Sequence, residues 1–201
     1  MKLYKYKNYD EYVKSQRKAC EKKHKNVWVN EENIKFLCDI LQERKPVFGI
    51  CHGVRQGFEQ QYFKKYLKNA EEVIGTEIGE ATAPDTIQWD FNKENPEWLG
   101  KCDFVYSNSF DHSYDPKQTI KTWANQLKKG GLLIIEYDRQ SEHKGDISQP
   151  VNKTDPLSID AREMIEKIPE WSNRLEVYGV IQMPVVRRDY QYAVIFECIK
   201  D

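Results

Sequence analysis

Three groups of residues in this sequence have the types and spacing to do chemistry. Gly49, Gly53 and Gly57 crowd into the stretch "PVFGICHGVRQGF" of a chain with ten glycines. A turn that lacks side chains lets backbone amides approach a bulky ligand. Two carboxylates follow. Glu77 ends the apolar run "VIGTE", and Asp90 ends "TIQWD". Acids that end neighbouring strands at one sheet edge can accept the two hydroxyls of a ribose and the amino group of an adenine, so the order glycine turn, acid, acid favours an adenosine pocket. The third group is imidazole. Of the four histidines, His112 in "SNSFDHSYDP" and His143 in "RQSEHKGD" sit where strands give way to loops and are candidate proton acceptors. His24 lies in the charged run "EKKHK". His52 lies inside the glycine turn, where a loop-ordering hydrogen bond is the favoured role.

The elements that must position these residues follow from periodicity. Residues 9–24 and 31–44 read as helices, the second with apolar residues at Ile34, Leu37, Cys38 and Leu41 and a stop at Pro46. "VFGIC" is a short strand, residues 56–69 a helix, and "EVIGTEI", "TIQWDF" and "CDFVYSN" three further strands. "DPKQTIKTWANQLKK" reads as a helix with Asp115 as N-cap, Pro116 in the first turn and Gly130 as its stop. "GLLIIEYD" is nearly all apolar, as a strand covered on both faces must be. Residues 139–157 form a long polar loop, and "SIDAREMIEKI" a helix capped by Ser158. "RLEVYGVIQMP" and "DYQYAVIFECI" are long strands joined by a short turn, hence antiparallel.

The expectation is an α/β, Rossmann-like three-layer sandwich: a seven-stranded, mostly parallel sheet with a C-terminal antiparallel hairpin and helices on both faces. One domain spans residues 1–201. It divides into an N-terminal helical cap (1–45), a ligand-binding core (46–138), a substrate loop (139–157), and a C-terminal helix and hairpin (158–201).

Bulk composition narrows the function. With 31 Lys and Arg against 32 Asp and Glu, formal charge is -1, and the basic clusters are interleaved with acids. No footprint for nucleic acid emerges. The longest apolar run, "LLII", is far too short to span a bilayer. Five scattered cysteines without paired spacing, and no export signal, point to reduced thiols in the cytoplasm.

The pieces "VFGICHGVRQG", "VIGTEI", "IQWDF", "CDFVYSNSFDHSYDP" and "LKKGGLLIIEYD" together resemble the class I S-adenosylmethionine-dependent methyltransferases over residues 45–138. The resemblance implies S-adenosylmethionine as cofactor. It implies that Gly49, Cys51, His52, Gly53 and Arg55 form the loop at the methionine part. Glu77 with Ile78 would hold the ribose, Asp90 with Phe91 the adenine, and Asn108 with Ser109 the methionine side.

One departure stands out. The family's first loop reads acid-x-Gly-x-Gly-x-Gly, and here those positions are Gly49, Cys51, Gly53 and Arg55. Arg55 offers a donor fork for the cofactor's carboxylate or an acidic substrate; a surface pairing with Glu59 is the alternative. His112, His143 and Asp111 are the candidate catalytic residues. Metal-dependent relatives carry carboxylates where Asp111, Glu136 and Asp138 stand, but that spacing is not diagnostic and no metal is expected.

The expected reaction is O-methylation of a small-molecule or saccharide-type acceptor by in-line displacement, with a homo-oligomer left open. Two rivals remain. A nicotinamide-dependent oxidoreductase would need GxGxxG, which is absent. A catalytically inactive, methyltransferase-like binding subunit would explain the altered loop.

Overall fold

The computed structural model describes residues 1–138, 151–187 and 190–200. Five parallel strands carry the sheet: β2 (Phe48–His52), β3 (Glu72–Glu77), β4 (Thr86–Gln88), β5 (Cys102–Ser107) and β6 (Leu127–Asp138). The hairpin β8 (Leu175–Gln182) and β9 (Gln191–Cys198) completes the order β4-β3-β2-β5-β6-β9-β8, with β9 antiparallel to both β6 and β8. The chain runs outward from β2 to β4, then returns to β5 on the other side of β2. That reversal between β2 and β5 opens a crevice at the strands' carboxyl ends.

Helices α2 (Glu31–Gln42) and α3 (Phe58–Tyr66) cover one face, burying Ile34, Leu37, Leu41 and Phe63 against Cys51, Phe104 and Ile134. Helices α4 (Pro116–Gln126) and α5 (Ala161–Trp171) cover the other, burying Ile120, Trp123, Met164 and Ile168 against Ile50, Val105 and Leu133. Double coverage explains why β5 is buried along its whole length and β6 from Gly131 to Tyr137. Helix α1 (Tyr9–Lys22) covers neither face. It lies across the carboxyl edge, where Tyr12 meets Asn92, Gln16 meets His112, and Arg17 donates to the Ile78 carbonyl.

Three boundaries differ from the sequence reading. The fourth helix ends at Gln126, not near Gly130, because Leu127 is drawn into pairing with Cys102 and the strand passes through an irregularity before Leu132 pairs with Phe104. Gly130, at φ 80, lies inside β6 rather than at a helix stop. Helix α5 is capped by Asp160 in a reciprocal box with Glu163. Ser158 instead belongs to β7 (Leu157–Ser158), which pairs antiparallel with β1 (Lys2–Leu3). Strand β4 stops at Gln88, which places Asp90 and Phe91 in the loop beyond it.

Candidate functional site

The glycine turn leaves β2 at His52. Gly53 and Val54 donate backbone hydrogen bonds of 2.9 and 3.1 Å to the Thr76 carbonyl, tying the turn to β3. Gly53 has φ 78, and a Cβ there would lie 2.7 Å from Ser109 Cβ at the exit of β5. Only glycine permits both the conformation and that approach. Arg55 also has a positive φ, 46°, which costs an L-residue about 1–2 kcal/mol. Its amide donates at 2.9 Å to Glu77 Oε2, a bond to a carboxylate that offsets the strain.

Three residues placed in the ligand loop from the sequence lie beneath it, away from the clefts. Gly49 lies inside the sheet, where an added Cβ would sit 2.1 Å from the Phe104 ring. The acid expected at this position therefore has no room. Cys51 is fully buried in the core beneath α2 and α3. His52 is buried, with Nδ1 2.8 Å from Thr76 Oγ1 and Nε2 2.8 Å from Gln126 Oε1. Its ring stacks on Trp123, and burial pushes its pKa down to about 4. It orders the base of the turn and, like Gly49 and Cys51, lines neither cleft described next.

Two clefts adjoin at the carboxyl edge. The smaller is bounded by Gly53, Arg55, Glu77, Ile78, Asp90 and Phe91 below and by Tyr12, Gln16 and Cys20 of α1 above. Glu77 accepts the Arg55 amide on Oε2 and the Gly79 amide on Oε1 at 3.1 Å. A carboxylate has about four lone-pair directions, so these two amides do not saturate it, although the Cys20 thiol also interacts with it. Asp90 Oδ1 accepts from the Asn92 amide at 3.0 Å, and Oδ2 from the Tyr9 hydroxyl at 2.8 Å. Phe91 packs edge-on to Trp123. The larger cleft opens over β2, β5 and β6 and is lined by Glu59, Asn108, Asp111, Glu136, Asp138 and Asp155 among others. Gly53, Arg55, Ser109 and His112 line both clefts.

His112 is held in one tautomer. Gln16 Nε2 faces the Lys153 and Thr154 carbonyls, each at 3.3 Å, so Gln16 Oε1 must face His112 Nδ1 at 3.0 Å. Nδ1 therefore donates to Gln16, which leaves Nε2, 3.9 Å from Asp111 Oδ1, as the nitrogen that can exchange a proton. Asp155 completes the group: ligand-type atoms of Asp111, His112 and Asp155 lie within 4.8 Å of one another. Burial raises the Asp111 pKa; His112 works against this, while Asp155 and Asp138 reinforce it. Burial pushes Asp155 the same way, but His112 and Lys23, 3.6 Å away, hold it below its ordinary value.

Glu136 is committed elsewhere. It accepts from Tyr106 Oη at 2.7 Å, from Asn33 Nδ2 at 3.3 Å, and from Gln191. Among the described residues, the set spaced to hold a metal is thus Asp111, His112 and Asp155, not Asp111, Glu136 and Asp138. His143 lies outside the described residues.

The sequence reading offered an N-terminal helical cap but not the α1 residues that line the smaller cleft, Tyr12, Gln16 and Cys20. It missed Glu59 as part of the site. Only 5% exposed, Glu59 accepts from Asn108 Nδ2 at 3.2 Å through Oε1, while buried Oε2 has no hydrogen-bond partner. Burial pushes its pKa up to about 7; its own backbone amide, Asn108 and Arg55 oppose that shift, and Glu136 adds to it. The available signal was its position two residues after Gly57, at the start of the helix leaving the glycine turn.

The sequence matches no family model and no curated protein. Solved structures do match. One is the Burkholderia thailandensis 1,6-didemethyltoxoflavin-N1-methyltransferase with bound 1,6-didemethyltoxoflavin and S-adenosylhomocysteine: TM-score 0.72, 14% identity, covering 98% of this chain and 93% of that one. Another is the N-methyltransferase NodS from Bradyrhizobium japonicum WM9 with S-adenosylhomocysteine: TM-score 0.62, 11% identity, covering 92% and 98%. The [4+2]-cyclase SpnF matches with TM-score 0.63 at 12% identity, covering 95% and 94%. This chain therefore has the Rossmann-like α/β fold of the class I S-adenosylmethionine-dependent methyltransferases.

Proposed function

We propose that the protein is an S-adenosylmethionine-dependent methyltransferase acting on the hydroxyl of a small polar or saccharide-type acceptor. The observation that carries this reading is the pair of adjoining clefts, with carboxylate acceptors suited to a nucleoside in one and the His112 imidazole on the boundary with the other. The fold alone would not suffice, since one fold serves many chemistries.

The residues present fit the cofactor. Glu77 is not saturated by its two amide donors and can accept from a ribose hydroxyl, and Asp90 and Phe91 bound the same cleft one strand further out. The backbone at Gly53 leaves a gap to Ser109 that a Cβ would fill, at the point where the clefts meet. Bound there, S-adenosylmethionine supplies an electrophilic methyl group on a sulfonium.

The chain's own residues do the rest. Glu77, Asp90 and the Gly53 turn hold the donor, and Ser109 and His112 hold the acceptor in line with it. Helix α1 keeps water from the smaller cleft. His112 Nε2 takes the acceptor's hydroxyl proton, and Asp111 and Asp155 stabilise the imidazolium that results. Gln16 keeps that nitrogen available by occupying Nδ1.

The test is a titration calorimeter followed by a transfer assay. The reading requires S-adenosylhomocysteine to bind and NADH not to, and methyl transfer to hydroxylated acceptors to depend on His112. Binding of NADH in place of S-adenosylhomocysteine would restore the oxidoreductase. Cofactor binding without transfer to any acceptor of a broad panel would favour the non-catalytic binding subunit.

A further inference from the structure

We propose that Glu59, reaching in from α3, is the anionic partner of the cofactor's α-ammonium group, in a chain whose first loop has Gly49 where the family pattern has an acid. The inference rests on the reading of the site as an S-adenosylmethionine site and adds a residue to it.

Two observations meet here. The first is steric. The position that should carry an acid lies against the Phe104 ring, so any side chain there displaces the sheet core. The second is a buried carboxylate oxygen with nothing to bind. Glu59 Oε2 has no partner, although the residue is 5% exposed and lines the larger cleft beside Asn108 at the end of β5. A buried acceptor left unsatisfied is costly, and buried charge is costlier still. Such an oxygen, on a residue that lines a cleft, is explained by a ligand that brings the missing donor. An ammonium has three N–H donors and the opposite charge.

A second orphan lies alongside. Arg55 Nε is buried without a partner, and Arg55 lines both clefts. Its guanidinium is close enough to Glu59 to favour the ionised carboxyl. Arg55 Nη1 donates to the Asn26 carbonyl, so each group keeps one unpartnered atom; a guanidinium and a carboxyl so placed next to the glycine turn match a zwitterionic amino-acid group, with Arg55 on the carboxylate and Glu59 on the ammonium. The titratable groups about Glu59 are Arg55, Glu136, Tyr106, Tyr62 and Cys51. Of these only Arg55 is cationic, so an arriving ammonium meets a site whose other neighbours are neutral or acidic. Glu59 gives up its proton to solvent as the ammonium arrives.

The test compares ligands with and without the ammonium on the full chain, by calorimetry, for wild type and Glu59→Gln. The ligands are S-adenosylhomocysteine, its deaminated analogue, and 5′-methylthioadenosine, which lacks the whole amino-acid part. Wild type should bind S-adenosylhomocysteine roughly 10- to 100-fold more tightly than the deaminated analogue, as a charge-assisted hydrogen bond implies. Glu59→Gln should lose that same factor for S-adenosylhomocysteine and leave the other two ligands within about threefold. Unchanged affinity of Glu59→Gln for S-adenosylhomocysteine would overturn the assignment while leaving the cofactor reading intact. Equal losses for all three ligands would overturn it too. Failure of wild type to bind S-adenosylhomocysteine would instead remove the cofactor reading, and this inference with it. Should the variant not fold, wild type at pH 6 decides. Binding of S-adenosylhomocysteine should release most of one proton, seen as a dependence of the heat on buffer, whereas the deaminated analogue releases none. Equal proton release by both ligands would refute the role.

Discussion

Replacing Glu59 with glutamine should stabilise the ligand-free protein at neutral pH, by an amount that depends on pH in a defined way. The carboxyl is buried, and its pKa stands at about 7 against an ordinary 4.5. That gap corresponds to about 3 kcal/mol of differential interaction between the two protonation states. Between pH 4.5 and 7 the folded chain holds this proton more tightly than the unfolded chain does. Wild type therefore loses stability as pH rises through that window, and the loss is complete above pH 7. Glutamine has the same shape and no proton to lose. The variant should match wild type near pH 4.5 and exceed it by up to about 3 kcal/mol at pH 8. His52 acts in the opposite sense in both proteins. Its pKa of about 4 lies below an ordinary 6.5, so its contribution is present above pH 6.5 and fades as pH falls toward 4. In wild type the two groups partly offset one another between pH 4.5 and 6.5; in the variant the histidine's slope stands alone. Urea unfolding of both proteins at pH 4.5, 6 and 8 measures the difference. A variant-minus-wild-type difference that stays constant across those pH values would refute the account of Glu59 as a buried, ionisable group.

Three further outcomes follow from the geometry. Gly53→Ala forces a side chain into a φ of 78° and against Ser109, and should cost about 2–4 kcal/mol of stability as well as cofactor affinity; a melting temperature equal to wild type's would contradict the close approach. Glu77→Ala removes both the ribose acceptor and the anchor of the Arg55 amide, and should weaken S-adenosylhomocysteine binding more than tenfold in a calorimetric titration; unchanged affinity would mean the smaller cleft is not the nucleoside site. His112→Asn should lower turnover roughly 10²- to 10⁴-fold while leaving S-adenosylhomocysteine affinity within about threefold; a loss confined to affinity would make His112 a wall of the pocket and not its base.

The parts legible in sequence were those whose environment is uniform along the chain. "GLLIIEYD" reads as a central strand because both of its faces are covered, and the two closing strands read as a hairpin because their connection is short. The place of Glu77 at the carboxyl end of β3 was legible because it ends an apolar run whose direction the sheet shares. What was hidden depends on partners far along the chain. Nothing near Gly49 announces Phe104, 55 positions later, which converts an apparent ligand-loop glycine into a packing one. Nothing near Ser158 announces Lys2, whose pairing moves the helix cap to Asp160. Glu59 was hidden for another reason. An acid in the first turn of a helix usually faces water and the helix dipole. Here the helix follows a glycine turn that tilts its first residues inward, and the carboxyl is buried instead.

The central claim is that the carboxyl edge between β2 and β5 holds an adenosyl amino acid. A crystal structure of the protein grown with saturating S-adenosylhomocysteine tests it most directly. The account predicts density with the ribose hydroxyls on Glu77, the base beside Phe91 and Asp90, and the sulfur facing the gap between Gly53 and Ser109, with His112 Nε2 opposite. Density for the ligand at another place, or none there at saturation, would contradict it.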